Sequence, residues 1–241
     1  MQIVINHLTR MRFGYICVAG IEPTSGRHIR PITKRHMDRK LLRVNGGSFE
    51  IGSLVDLGNT RYGGRAPEFE DHNFSPDHLQ HVRRLAASDF WGWLTKTSAS
   101  DLRAIFGNEL EEHGRGCAIN QNCGTSSLGN LRPSKISFFG LNGQRKLRIV
   151  ISDGRFNCDL SVTDIRFYEK DHETPRLEVV QGVAERLAKG RALLSVSLSR
   201  AFLKDDQTAA LHWLQVNNIH LEEDPLGSLF EFKKDMEMKS C

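Results

Sequence analysis

With 241 residues, 39% of them hydrophobic and 26% charged, the chain can bury a substantial core, which excludes a fibrous or low-complexity polypeptide. Its formal net charge of +4 is too mild to argue for or against a polyanionic partner, and no apolar run approaches the roughly 18–20 residues of a membrane span. Five cysteines without a CxxC pair, behind an N-terminus (MQIVINHLTRMRF) that lacks the apolar core of a signal peptide, give the expectation of a reducing, cytoplasmic protein without a disulfide framework.

Gln2–Asn6 is apolar and β-branched, which predicts a first strand. Tyr15–Ile21 and Arg27–Ile32 are extended runs joined by Glu22-Pro23-Thr24-Ser25-Gly26. Proline restricts one φ there and glycine tolerates a positive one, so a hairpin is expected. Ile51–Leu57, bracketed by Gly46-Gly47 and Gly58-Asn59, reads as another strand, and Phe69–Phe74 as a strand-like or irregular passage before Pro76. Short strands between turns suit a small closed barrel or a sandwich rather than a parallel sheet.

The middle of the chain differs. Pro76–Leu85 and Ser98–Leu110 read as helices; in the second, Leu102, Ile105, Phe106 and Leu110 recur at helical spacing behind a cap at Ser98 or Ser100. Between them, Phe90, Trp91 and Trp93 are expected to pack an insert onto a barrel. Glu111–Asn130, rich in Gly, Asn and Ser, reads as a loop and domain junction. The β pattern then resumes at Lys135–Phe139. In Arg145–Ile151, Leu147, Ile149 and Ile151 alternate with their neighbours, and Asp153-Gly154 turns the chain into Arg155–Val162. Thr163–Lys170 is a turn or short helix, and Val179–Leu187 a helix ended by Lys189-Gly190. Ala192–Ser199 and Ala209–Leu221 close the domain as strands, with Lys204-Asp205-Asp206 as the loop between them and Asp235–Cys241 as a frayed tail.

Charge is unevenly distributed. Before residue 67, Lys and Arg far outnumber the acids Glu22, Asp38, Glu50 and Asp56, whereas from Leu221 onward the chain is acidic. A phosphate backbone is bound by several cations along one track, because each neutralised phosphate releases counterions. Arg12, Arg27, Arg30, Arg35, Lys40 and Arg43, with Arg61, are therefore the candidate phosphate contacts. Tyr15 and Tyr62 are the candidate stacking platforms, while Phe13 is expected in the core. The ordinary alternative for such a charge run is a solvated face.

Other chemistry finds less support. The HxxxCxxxxxC run of His113, Cys117 and Cys123 lacks a convincing fourth zinc ligand, so no metal site and no cofactor is expected. Cys17 reads as a small core residue. Neither GxxxxGK[ST], GxGxxG after a strand, GxSxG nor HExxH occurs, so nothing in the sequence proposes an enzyme.

Six stretches, IVINHLTRMRFGYICVAGI, RHIRPI, SLVDL, SSLGNLRPSKI, KLRIVISDGRFNCDLSVTD and LLSVSLS, occur in an order that resembles the bacterial dual OB-containing domain family, over about Gln2 to Leu221. The resemblance implies a mainly β fold of two tandem OB-like small β-barrels with a helical insert. The first barrel would span 1–75, the insert and linker 76–130, the second barrel 131–221 and an acidic C-terminal tail 222–241. It also implies nucleic-acid or nucleotide binding and a place in bacterial conflict or defence systems. The expected function is a non-catalytic module for single-stranded RNA or DNA. The alternative is an adaptor docking a protein partner. A less favoured third reading, an enzyme acting on a nucleotide, would need a deep inter-barrel pocket lined by His, Asp or Cys.

Overall fold

The computed structural model describes residues 1–143, 146–203 and 208–227. The expectations for Arg145, for Lys204-Asp205-Asp206 and for the tail Asp235–Cys241 fall outside these residues. Two curled, mainly antiparallel sheets form half-barrels, each over its own core, as expected of two small barrels.

The first sheet contains β1 (Gln2–Arg10), β2 (Tyr15–Ile21), β3 (His28–Ile32), β4 (Met37–Asp38), β5 (Ser53–Asp56), β6 (Arg61–Tyr62), β7 (Asp71–Asn73) and β8 (Gln80–Arg84). Its order is β6-β7-β3-β2-β1-β5-β8, with β4 also on β2. Ile3, Ile5, Ile16, Val18, Phe49 and Val55 fill its core. The predicted hairpin forms as β2–β3: Ile21 pairs with His28, the Glu22 N–H donates to the Arg27 carbonyl (2.9 Å), and Gly26 takes φ +72°.

The second sheet contains β9 (Ser98–Ala99), β10 (Glu111–His113), β11 (Gly116–Asn120), β12 (Leu128–Leu131), β13 (Lys135–Leu141), β14 (Leu147–Ser152), β15 (Asn157–Val162), β16 (Ala192–Leu198) and β17 (Leu211–Leu221). Its main order is β13-β14-β15-β17-β16-β12-β9, and β11 joins through β17. Ile149, Ile151 and Leu160 meet Phe167, Val196 and Val216 inside. Helix α1 (Ala87–Lys96) buries Phe90 and Leu94 in the first core, with Trp91 and Trp93 packed alongside. Helices α2 (Leu102–Phe106) and α3 (Leu177–Leu187) belong to the second half.

Three expectations are corrected. Pro76–Leu85 is not a helix: after a single turn at Pro76–His78 it becomes β8, paired with β5 from Ser53↔Arg84 to Asp56↔Gln80. Leu79, Val82 and Leu85 recur every third residue and imitate a helical stripe, but Val82 is exposed on a sheet edge. The second predicted helix shrinks to α2, capped by Asp101, which accepts from the Arg103 N–H at 2.8 Å. Glu111–Asn130 is not a loop, because it contributes β10, β11 and β12; their short, Gly-rich segments are strands through pairing with β17 and β16. Strands within the proposed insert thus join both sheets, β8 the first and β9, β10 and β11 the second.

The halves meet along β1 and β17. In each strand a bulge interrupts the register: Ile5↔Gly20 is followed by His7↔Ala19, and Ser195↔Asn218 by Val196↔Val216. The extra residues are Asn6 and Asn217, and a bulge re-aims side chains away from the regular alternation. Asn6 Nδ2 donates to Asn130 Oδ1 (2.8 Å) across the seam, and Asn217 Nδ2 lies 3.1 Å from His7 Nδ1. Asn218 completes the contact, accepting the Leu8 N–H at 2.7 Å. The buried seam is therefore polar and largely hydrogen-bonded, with Asn6 Oδ1 and His7 Nε2 left without a partner among the described residues.

Candidate nucleic-acid interface

The predicted cations separate into two stations at opposite ends of β2. One lies around its start, Tyr15. Arg12 is exposed in the β1–β2 turn, and exposed Arg35, Lys40 and Arg43 flank β4, whose Asp38 pairs with Tyr15. Tyr15 is half-buried with its ring 5.0 Å from that of His36. The other station lies at the far end of β2, where exposed Arg27 immediately precedes β3 and exposed Arg61 and Tyr62 form β6. Six strand steps separate Tyr15 from Ile21, or roughly 20 Å at the rise of a β-strand.

Arg30 is a correction. Although it sits in the basic run, it is 5% exposed, with its Nε 2.5 Å from Asp71 Oδ1 on the parallel neighbour β7. The extended backbone before Pro31 turns this residue inward, where an arginine persists only with a partner. It is withdrawn from the phosphate contacts.

Phe13 is a second correction, since it is 87% exposed and holds φ +62° in the β1–β2 turn. A bulky side chain in the left-handed region is strained, whereas asparagine tolerates it. Phe13→Asn is expected to raise stability by about 0.5–1 kcal/mol; a drop in the urea midpoint would mean that the ring packs against something.

A cavity of about 460 Å³ opens beside the second station. Arg27, His28 and Ile29 from the start of β3, Tyr62 of β6 and His72 of β7 line it, together with Phe69 and Glu70; Ser126 is contributed by the other half. Burial pushes the His28 imidazole down to about 4, against the opposing pull of Glu70, so its ring is neutral near pH 7. Tyr62 stands edge-on to His72, with centroids 5.4 Å apart.

The segment after the cis Ala66–Pro67 bond ties the cavity wall to the second half. Glu70 is buried and accepts from the Ser126 hydroxyl (2.6 Å), the Ser127 N–H (2.9 Å) and the Ser127 hydroxyl (2.7 Å). Arg200 reaches across to Glu68 Oε1 (2.8 Å) and Asp71 Oδ2 (2.7 Å). These acids hold the halves together and are already satisfied by neutral donors or cations.

Sequence alone points to Arg27 and Tyr62 at this cavity but not to His28, Phe69, His72 or Ser126. Their only signal is position: His28 adjoins a predicted cation, and Phe69 and His72 lie in the passage read as irregular. In the HxxxCxxxxxC run, His113 forms a T-shaped contact with Trp213 (5.9 Å) and Cys117 is buried in β11. Its thiol is pushed up by a hydrogen bond with Cys158 and by burial. Among the described residues, no helix is long and apolar enough to cross a membrane.

A family model described as the dual OB-containing domain matches residues 1–219, nearly the whole chain. No curated protein matches.

Proposed function

From the premise that the chain belongs to the dual OB-containing domain family, we propose that this OB-type module binds single-stranded RNA or DNA without catalysing its conversion. The observation that carries the reading is the set of exposed cations. Arg12, Lys34, Arg35, Lys40, Arg43 and Arg61 face solvent and have no acidic partner among the described residues, while buried Arg30 is consumed by its ion pair. Arg27 adds a further cation, 77% exposed at its side chain and only 4.0 Å from Glu22. Two cationic stations with an aromatic cavity beside one of them suit a flexible single strand, whose backbone is tracked by charge and whose bases stack.

The nucleotide-enzyme reading asks for a deep inter-barrel pocket lined by His, Asp or Cys; this cavity offers two histidines, with Ser126 its one lining residue from the second half. Its one acid, Glu70, is occupied by four donors, which favours the binding role. The cytoplasmic setting and the link to bacterial defence systems belong to the same proposal. The second rests on the family resemblance, and defence genes beside this one would support it.

Fluorescence-anisotropy titration of single-stranded oligomers at several salt concentrations tests the reading. The logarithm of the affinity is expected to fall linearly with that of salt. Replacing Arg12, Arg35, Lys40 and Arg43 together by Ala is expected to lower the magnitude of the slope by about 0.7 for each phosphate that the variant no longer neutralises. No binding at low salt would transfer the module to the adaptor role, and an unchanged slope would remove the station around Tyr15.

A further inference from the structure

The inter-barrel cavity has a hydrogen-bonding pattern that backbone binding alone does not need. His72 Nδ1 lies 3.0 Å from the Glu70 carbonyl, which can only accept, so this nitrogen carries the proton and the neutral ring keeps a lone pair on Nε2. His28 Nε2 lies 3.3 Å from Asn6 Nδ2, which can only donate, so there the proton sits on Nδ1. Interior partners thus hold the two imidazoles in opposite tautomers, with one donor and one acceptor left over.

Around this pair, Tyr62 and Phe69, both lining the cavity, keep 57% and 43% of their surface exposed. His72 meets Tyr62 at 71°, a T-shaped contact in which the imidazole covers at most one phenol face. Arg27 stands at the rim, and the Glu70 charge is screened by the Ser126 and Ser127 hydroxyls.

We propose that this cavity is a receptor for a single unpaired nucleobase, stacked on Tyr62 and Phe69 and held at its edge by the His28 and His72 rings, with its phosphate toward Arg27. Nucleobases present a hydrogen-bond donor and acceptor side by side on a planar ring, which is the complement of this wall. The volume of about 460 Å³ falls in the range of small-molecule sites and accommodates one base with its sugar. The inference rests on the nucleic-acid reading and deepens it: the charged stations carry the strand, and the cavity takes one base out of it.

Calorimetric titration of the full chain with AMP, GMP, CMP and UMP, against ribose 5-phosphate and inorganic phosphate, tests it without any variant. At least one nucleotide is expected to bind ten-fold or more tightly than ribose 5-phosphate. Tyr62→Ala should weaken that binding by about ten-fold, in line with the removal of one stacking ring, and Tyr62→Phe should retain it. His72→Phe, which keeps a ring and loses the acceptor, should weaken it several-fold. Equal binding of nucleotides and ribose 5-phosphate would overturn the proposal, as would nucleotide binding that is indifferent to Tyr62→Ala. If nucleotides fail to bind while a single-stranded oligomer does, the base receptor is wrong and the nucleic-acid surface stands. If the oligomer fails as well, both fall.

Discussion

Asp71→Ala is expected to cost about 3–5 kcal/mol of unfolding free energy, the range for breaking a buried ion pair from one side. Asp71 is 4% exposed and accepts from Arg30 through one oxygen and from Arg200 through the other. Truncation leaves the Arg30 guanidinium, already short of a partner at Nη2, with an uncompensated charge in the interior. Urea denaturation measures the loss. A double replacement, Arg30→Met with Asp71→Leu, should recover much of it, because removing both charges also removes the cost of burying them. A single-variant loss below 1 kcal/mol would show that solvent reaches Arg30 and that its burial is not what fixes β3 against β7.

Acidification should be nearly as damaging. His220 is fully buried, with Nδ1 3.2 Å from the Pro225 carbonyl and Nε2 3.0 Å from the Ser195 hydroxyl. Phe90 packs edge-on to the ring (5.4 Å). Burial first, and then Arg166, push its imidazole down to about 4. His7 is held well below its usual range by burial and by the neighbouring His28, His220 and Arg30. Asp164 and the carbonyls of Pro225 and Asn6 oppose the shift at His220, and Glu70 opposes it at His28.

Each of these rings binds a proton more readily in the unfolded chain, where histidine titrates near 6.5. Stability is therefore full above about pH 6.5 and is lost as pH falls toward 4. The shift at His220 corresponds to about 3 kcal/mol at the acid end, with a smaller share from half-buried His28. Urea midpoints at pH 7.5, 5.5 and 4.5 should decline steeply. A flat profile across that range, or an unchanged profile in His220→Gln, would show that the seam tolerates protonated histidine.

The two-barrel β framework was legible because strand alternation and turn chemistry are local. Arg145–Ile151 with Asp153-Gly154 predicted a hairpin from neighbouring residues alone, and Leu147–Ser152 pairs with Asn157–Val162 through that turn. Elements set by distant partners were not legible. Gln80–Arg84 becomes a strand because β5 offers an edge, and Leu128–Leu131 because β16 does. The seam was hidden for a related reason: Asn6 and Asn217 look like breaks in apolar strands until the bulges aim them at the opposite half. At the candidate site, exposed Arg12, Arg27 and Tyr62 were readable as residue types, whereas Arg30 was misread because charge does not reveal which side chain a neighbouring strand claims. His28 and His72 gain meaning only from their tautomers, which the Asn6 side chain and the Glu70 carbonyl decide.

The acids at Glu68, Glu70 and Asp71 belong to the first half, but their cation Arg200 and their donors Ser126 and Ser127 belong to the second. A first barrel expressed by itself would present these carboxylates beside the aromatic cavity, with Glu70 stripped of its donors and Asp71 left to Arg30. An approaching polyanion would meet a local negative field where the full chain offers a silenced one. On this view the second barrel acts as an electrostatic mask for the first, and the cavity proposed above is complete only in the full chain.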